Sequence, residues 1–165
     1  MIYVNKKVID GEHRAGTKVF VYPSSEDSAK LFDFCRDTLG ISAVKVVRAD
    51  QYHSTVIYST CACPGAESKD IKLPMTGGIC DWALWNSPQY GSCLVGILNS
   101  PDIVTLNKEI RDTYGATSTF PTFTPHITIA WGYSGPVPTK LPTFGLLFDA
   151  YKVAGIDPNW TPDQL

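Results

Sequence analysis

Two short phrases in this chain place a threonine two residues after a histidine: Tyr52-His53-Ser54-Thr55-Val56 and Pro125-His126-Ile127-Thr128-Ile129. Side chains of an extended strand alternate faces, so His53 and Thr55 share one face, as do His126 and Thr128. Brought together, the two faces would hold two imidazoles and two hydroxyls around one cleft. Histidine exchanges protons near neutral pH because its unperturbed pKa is about 6.5. Threonine hydroxyls can donate to oxygens on which charge grows. That set suits general acid-base chemistry on a phosphodiester. Where a ribose 2′-hydroxyl serves as internal nucleophile, one histidine removes its proton and the other protonates the leaving 5′-oxygen. The two threonines hold the non-bridging oxygens, and a 2′,3′-cyclic phosphate results. This chemistry needs no metal and no other cofactor. The near symmetry of the phrases leaves open which histidine is the base.

The surrounding sequence supplies elements to carry these residues. Thr17 to Tyr22 is rich in β-branched and aromatic residues and reads as a strand stopped by Pro23. Ser24 or Ser25 caps a predicted helix through about Leu39, with Leu31, Phe34, Cys35 and Thr38 on one face and Gly40 as its stop. Ala43 to Val47 reads as a short strand or a loop, and the first histidine strand runs from Tyr52 to Ser59. The passage from Cys61 to Gly78 is rich in loop residues, with a short strand expected around Ile71 and a turn at Thr76-Gly77-Gly78. Ile79 to Trp85 and Ser92 to Leu98 read as a hairpin. Ser100 and Pro101 open a second helix, through about Tyr114, whose Ile103, Leu106 and Ile110 recur at helical spacing before Gly115. An irregular approach, Phe120 to Pro125, leads into the strand His126 to Trp131, and a last strand covers Leu146 to Val153. In each half a helix precedes a histidine strand, which suggests an internal duplication.

At 165 residues, with 44% hydrophobic, the chain can bury a substantial core and is expected to form a single domain, 1–165, of two intimately packed lobes. A net charge of −2 argues against a protein that grips long nucleic acid by its phosphates. A small nucleotide needs only a few local cations, and Lys18 and Arg48 are candidates. No run approaches the roughly 20 apolar residues of a membrane span. Five cysteines, Cys35, Cys61, Cys63, Cys80 and Cys93, and the lack of a signal-like segment in Met1 to Asp10 indicate a reduced, cytoplasmic protein with free, structural thiols. Cys61-Ala62-Cys63 lacks a second close cysteine pair or a histidine at zinc-ligand spacing. A monomer is the expected state.

Bases are held by stacking on aromatic rings. Trp85, Trp160 and Tyr22 are the expected substrate-binding residues, ahead of Trp82 and Trp131. Trp82 and Trp85 are an odd number of positions apart, so only one can face a cleft, and Trp85 near the hairpin turn is favoured. His13 lies in a polar segment without a partner motif. There is no Gly-rich phosphate loop with its lysine and no Gly-x-Ser-x-Gly elbow.

With these motifs the chain resembles the 2H phosphoesterases, named for two His-x-Thr/Ser motifs with hydrophobic flanks. Leu106 to Gly132, which includes Arg111-Asp112-Thr113-Tyr114-Gly115, and the ending Lys152 to Trp160 are similar to a branch of that superfamily, the phage anti-CBASS nucleases of the Acb1 group. The ending departs at Ala154, where that group tends to carry an acidic residue. The resemblance implies an α+β, two-lobed, LigT-like fold, with concave antiparallel sheets, flanking helices and a pseudo-twofold arrangement of the two His-x-Thr strands. It implies metal-independent hydrolysis of cyclic di- and trinucleotide immune messengers such as 3′,3′-cyclic GMP-AMP, in the cytoplasm of an infected bacterium. The alternatives are a 2H enzyme acting on RNA 2′,3′-cyclic phosphate ends or 2′-5′ oligoadenylate, and a non-catalytic nucleotide sponge.

Overall fold

The computed structural model describes residues 6–10, 16–87, 91–118 and 122–156. Within them the strands are β1 (Lys6–Asp10), β2 (Thr17–Pro23), β3 (Ser54–Ser59), β4 (Met75–Ser87), β5 (Gly91–Asn99), β6 (His126–Trp131) and β7 (Leu146–Gly155). The helices are α1 (Ser25–Asp33) and α2 (Pro101–Tyr114). The sheet runs β3-β2-β7-β4-β5-β6 with antiparallel neighbours, and β1 joins β7 in parallel. The two histidine strands are therefore the two ends of the path. They nevertheless approach one another, so the sheet curls until its edges meet. Register shifts in four of the pairings, β2/β3, β2/β7, β4/β5 and β5/β6, supply the bending that this requires.

The curl is organised about the β4/β7 pair, where Thr76 stands opposite Leu147. Each of these residues receives the start of one helix. Asp102 of α2 accepts from the Thr76 backbone N–H at 3.0 Å, while the cap residue Ser100 donates its hydroxyl to the Thr76 carbonyl at 2.8 Å. Asp27 of α1 accepts from the Leu147 N–H at 2.7 Å, while the cap residue Ser24 donates its backbone N–H to the Leu147 carbonyl at 2.7 Å. The halves are thus related by a local twofold about this pair, with the strand, helix and histidine strand β2-α1-β3 answering to β5-α2-β6.

Both helices begin at the expected caps: Ser24 Oγ accepts from Asp27 N at 3.1 Å and Ser100 Oγ from Ile103 N at 3.3 Å. The first continues beyond Asp33 as a π-turn over Phe34–Thr38 instead of α-helix to Leu39, keeping Leu31 and Cys35 in the core and leaving Thr38 exposed. The αL conformation of Gly40 (φ 68°) and Gly115 (φ 66°) ends the two helical stretches. Val19, Val21, Val56, Ile127, Ile129, Phe148 and Val153 fill the core between sheet and helices.

Three sequence expectations are corrected. Thr76-Gly77-Gly78 is not a turn but the opening of β4, paired with Leu147, Leu146 and Asn99, and its glycine is needed because the start of α2 presses on it: a Cβ added to Gly77 would lie 2.8 Å from Ser100 Cβ. The residues around Ile71 form no strand, although Ile71 is buried, and a 3-10 turn over Pro64–Ser68 precedes them. Lys6–Asp10, ahead of the first element expected from the sequence, pairs with β7. Ala43 to Val47 is a turn whose Val46 makes an isolated bridge to Ala130 on β6.

The Gly77 approach makes a prediction. Gly77→Val must displace Ser100 and loosen the α2 cap, and we expect a loss of about 1–3 kcal/mol in urea unfolding. An unchanged midpoint would show that the contact gives way freely.

Candidate active site

The cleft is lined by what the register turns toward it. On β2, Lys18, Phe20 and Tyr22 alternate with the fully buried Val19 and Val21, and Phe20 stands opposite Thr55, so the Phe20 side shares the Thr55 face. Lys152 of β7 stands opposite Phe20, and Ala154 opposite Lys18, on that same face. In the other half Ile97 stands opposite His126 and Val95 opposite Thr128. Trp85 pairs with Cys93, two residues from Val95, and so shares the Thr128 face. Trp82 pairs with Gly96, faces the opposite way and is buried, its indole N–H donating to the Lys140 carbonyl at 2.8 Å.

The two histidines sit in matching settings. His53, immediately before β3, has Nδ1 2.9 Å from the Gln51 carbonyl; His126, the first residue of β6, has Nδ1 2.9 Å from the Thr124 carbonyl. A carbonyl only accepts, so each ring carries its proton on Nδ1, and Nε2 is the basic nitrogen. Both rings lean on aromatics. His53 lies 4.6 Å from Phe20 and 6.1 Å from Tyr22 between ring centres, and His126 lies 4.3 Å from Trp85, edge to face.

Burial is the main cause that pushes the pKa of both imidazoles below 6.5, partly opposed in each by the carbonyl contact. The Lys18 charge lowers His53 further, and the His53 charge lowers His126, so the two rings share one electrostatic environment. The first to protonate hinders the second, the condition under which a pair can offer one neutral base and one charged acid. Burial pushes the thiol of buried Cys93 up to about 11, partly opposed by the neighbouring Thr128 hydroxyl, and the protonated sulfur serves as packing.

The remaining candidates divide clearly. Arg48 is exposed and paired with Asp50 at 2.7 Å. Lys18 stands over the Phe20 ring at 5.6 Å, on the cleft wall. Cys35 and Cys63 are buried, whereas Cys61 and Cys80 are exposed, and all of these thiols are free. Trp160 and His13 lie outside the described residues. Among the described residues no three His, Cys, Asp or Glu side chains are grouped to hold a metal ion, and no helix is long and apolar enough to cross a membrane. The groove between Thr38–Ser42 and Tyr133–Lys140 shares no residue with the histidine cleft. The carbonyls of Gln51 and Thr124 escaped the sequence reading, since a backbone group leaves no residue-type signal.

A two-lobed α+β arrangement with a His-x-Thr strand at each edge of a curled antiparallel sheet is a LigT-like fold. Residues 16–163 match the family described as anti-CBASS protein Acb1, and the chain belongs to that family. Comparison with curated proteins gave no match. Among solved structures, Escherichia coli LigT complexed with 3′-AMP superposes with a TM-score of 0.59 at 16% identity, covering 83% of this chain and 85% of that one. TT0787 of Thermus thermophilus gives 0.61 at 14% identity, with 83% and 86% covered. A structure described as a phosphoesterase gives 0.58 at 17%, with 83% and 85% covered. At these identities the likeness is one of fold.

The shared environment predicts coupled titration. In proton NMR, His53 and His126 should both titrate with midpoints below 6.5, and His53→Ala should raise the His126 midpoint by removing a neighbouring cation and part of its burial. A His126 midpoint unmoved by that substitution would mean that the rings do not sense one another.

Proposed function

We propose that this Acb1-family protein is a metal-independent phosphodiesterase that cuts 3′-5′ bonds of cyclic di- and trinucleotide immune messengers, such as 3′,3′-cyclic GMP-AMP, in an infected bacterial cell, and so lets a phage evade CBASS. The observation that carries this reading is the matched pair of imidazoles, each held by a carbonyl two residues before it, each followed by a threonine, on strands that meet across one cleft.

In this reaction the Nε2 of one histidine takes the proton of the ribose 2′-hydroxyl as its oxygen attacks phosphorus. The other histidine, protonated, gives its Nε2 proton to the departing 5′-oxygen. Thr55 and Thr128 donate to the two non-bridging oxygens, where charge rises as the phosphorane forms. The product is a linear nucleotide ending in a 2′,3′-cyclic phosphate, and water can open it by the same groups in reversed roles. Lys18 and Lys152, on the β2 and β7 wall, favour the approach of an anion although the chain as a whole is acidic. Trp85 and Tyr22, on opposite walls, supply base platforms.

Purified protein should cut members of a cyclic di- and trinucleotide panel in EDTA. His53→Ala and His126→Ala should each lower turnover by at least about 10²-fold. Trp85→Leu should raise KM by about tenfold or more if its ring stacks on a base. A 2′-deoxy analogue cut at the normal rate would eliminate the internal nucleophile. An untouched panel would move the activity to RNA 2′,3′-cyclic ends, and binding without cleavage would identify a sponge.

A further inference from the structure

The two histidine strands carry the same irregularity at the same place, but it is held by different means. Across β2 and β3, Phe20 pairs with Thr55 and Val19 with Ile57, which leaves Val56 as an extra residue. Across β5 and β6, Val95 pairs with Thr128 and Leu94 with Ala130, which leaves Ile129 extra. Each bulge thus falls on the residue just after the motif threonine, where the ladder is broken and its carbonyl needs another donor. The Ile129 carbonyl finds the backbone N–H of Val47 at 2.7 Å. The Val56 carbonyl finds the side-chain amide of Asn107, also at 2.7 Å.

Asn107 belongs to the buried face of α2, among Ile103, Leu106 and Ile110, and is only 4% exposed. An amide in such a place is costly unless its polar atoms are bonded. Both ends are: while Nδ2 donates to Val56, Oδ1 accepts from Arg111 Nε at 2.9 Å. The Arg111 bond fixes which way the amide faces, so its donor end meets the bulge. We infer that Asn107 is a positioning residue for the β3 half of the cleft, acting through the Val56 carbonyl to hold the bulge that sets the direction of Thr55 and, two residues before it, His53. This inference rests on the reading of the cleft as a phosphodiesterase site. A displacement of about 1 Å of a group that must meet a forming charge can cost on the order of 10²-fold in rate, so a bond of this kind shows in turnover before it shows in binding. The β6 half, held by a backbone donor, has no equivalent side chain to lose.

The test compares Asn107→Asp, which keeps the size and the Arg111 bond but turns an oxygen toward the Val56 carbonyl, with Asn107→Leu, which removes both bonds. Ile110→Val on the same helix face serves as a reference for lost stability alone. With 3′,3′-cyclic GMP-AMP, well below every melting temperature, both Asn107 variants should lose about tenfold or more in kcat with KM held within about twofold, and Ile110→Val should change neither. In NMR spectra the Thr55 methyl and His53 ring signals should move in both Asn107 variants while that of the Thr128 methyl stays. An unchanged kcat, or unmoved Thr55 and His53 signals, would overturn the inference and leave Asn107 a packing residue. If the wild type cuts no cyclic nucleotide, the substrate reading fails, and the NMR comparison still decides the role of Asn107.

Discussion

The site depends on two edges of one sheet being brought face to face. Edge strands present unpaired backbone groups and are ordinarily covered or shortened. Here β3 and β6 are the edges, and each is shielded on its outer side by a short contact: the Asn107 amide on β3, the Val46–Val47 turn on β6. The curl that joins them is centred on the Thr76/Leu147 pair, where each helix start is tied to one strand by an acidic side chain and a capping serine. Those bonds fix the two helices relative to the central strands. The bulges then turn the outer strands inward, and the histidines meet because of bends set by residues that never touch the cleft.

The local twofold supplies equal machinery on unequal walls. Each ring has the backbone carbonyl two residues before it as partner, at the same distance, so their tautomer is the same. Their neighbours differ. His53 has Phe20, Tyr22 and the Lys18 charge; His126 has the Trp85 ring edge to face, and the charge that lowers its pKa is that of His53 itself. A protonated imidazole is favoured beside an indole and disfavoured beside an ammonium group, by cation–π attraction in one case and charge repulsion in the other. Near-symmetric motifs in the sequence are thus compatible with distinct proton-transfer roles, because the walls and not the motifs break the symmetry.

Much of this arrangement is legible in the sequence because it follows local rules. The His-x-Thr alternation, the serine caps, the Gly40 and Gly115 stops and the opposed faces of Trp82 and Trp85 all follow from strand or helix period and backbone conformation. The features that escaped are set by distant neighbours. Gly77-Gly78 has turn composition, yet it is strand because Gly77 pairs with Leu146 and Gly78 with Asn99, while Ser100 leaves no room for a Cβ at Gly77. Lys6–Asp10 has too little apolar character to announce a strand, and only its pairing with β7 makes it one. Asn107 lies between these cases. Its place beside Ile103, Leu106 and Ile110 puts it on the apolar face by helical spacing alone, and a polar residue there asks for a partner. Which partner it finds is a fact of tertiary structure.

The depressed histidine pKa values carry a consequence for stability that runs with function. A ring that protonates less readily when folded than when unfolded makes the unfolded chain the better proton acceptor between the two pKa values, so stability from these groups is complete above 6.5 and declines as the pH falls through the folded values. The same burial favours neutral rings at working pH. Solvating either ring would relieve the stability cost in acid and remove the low-dielectric setting that the proposed reaction requires. The carbonyls of Gln51 and Thr124 moderate this conflict. Each favours a proton on Nδ1 and offsets part of the burial effect, so the rings remain able to protonate while enclosed by aromatic walls.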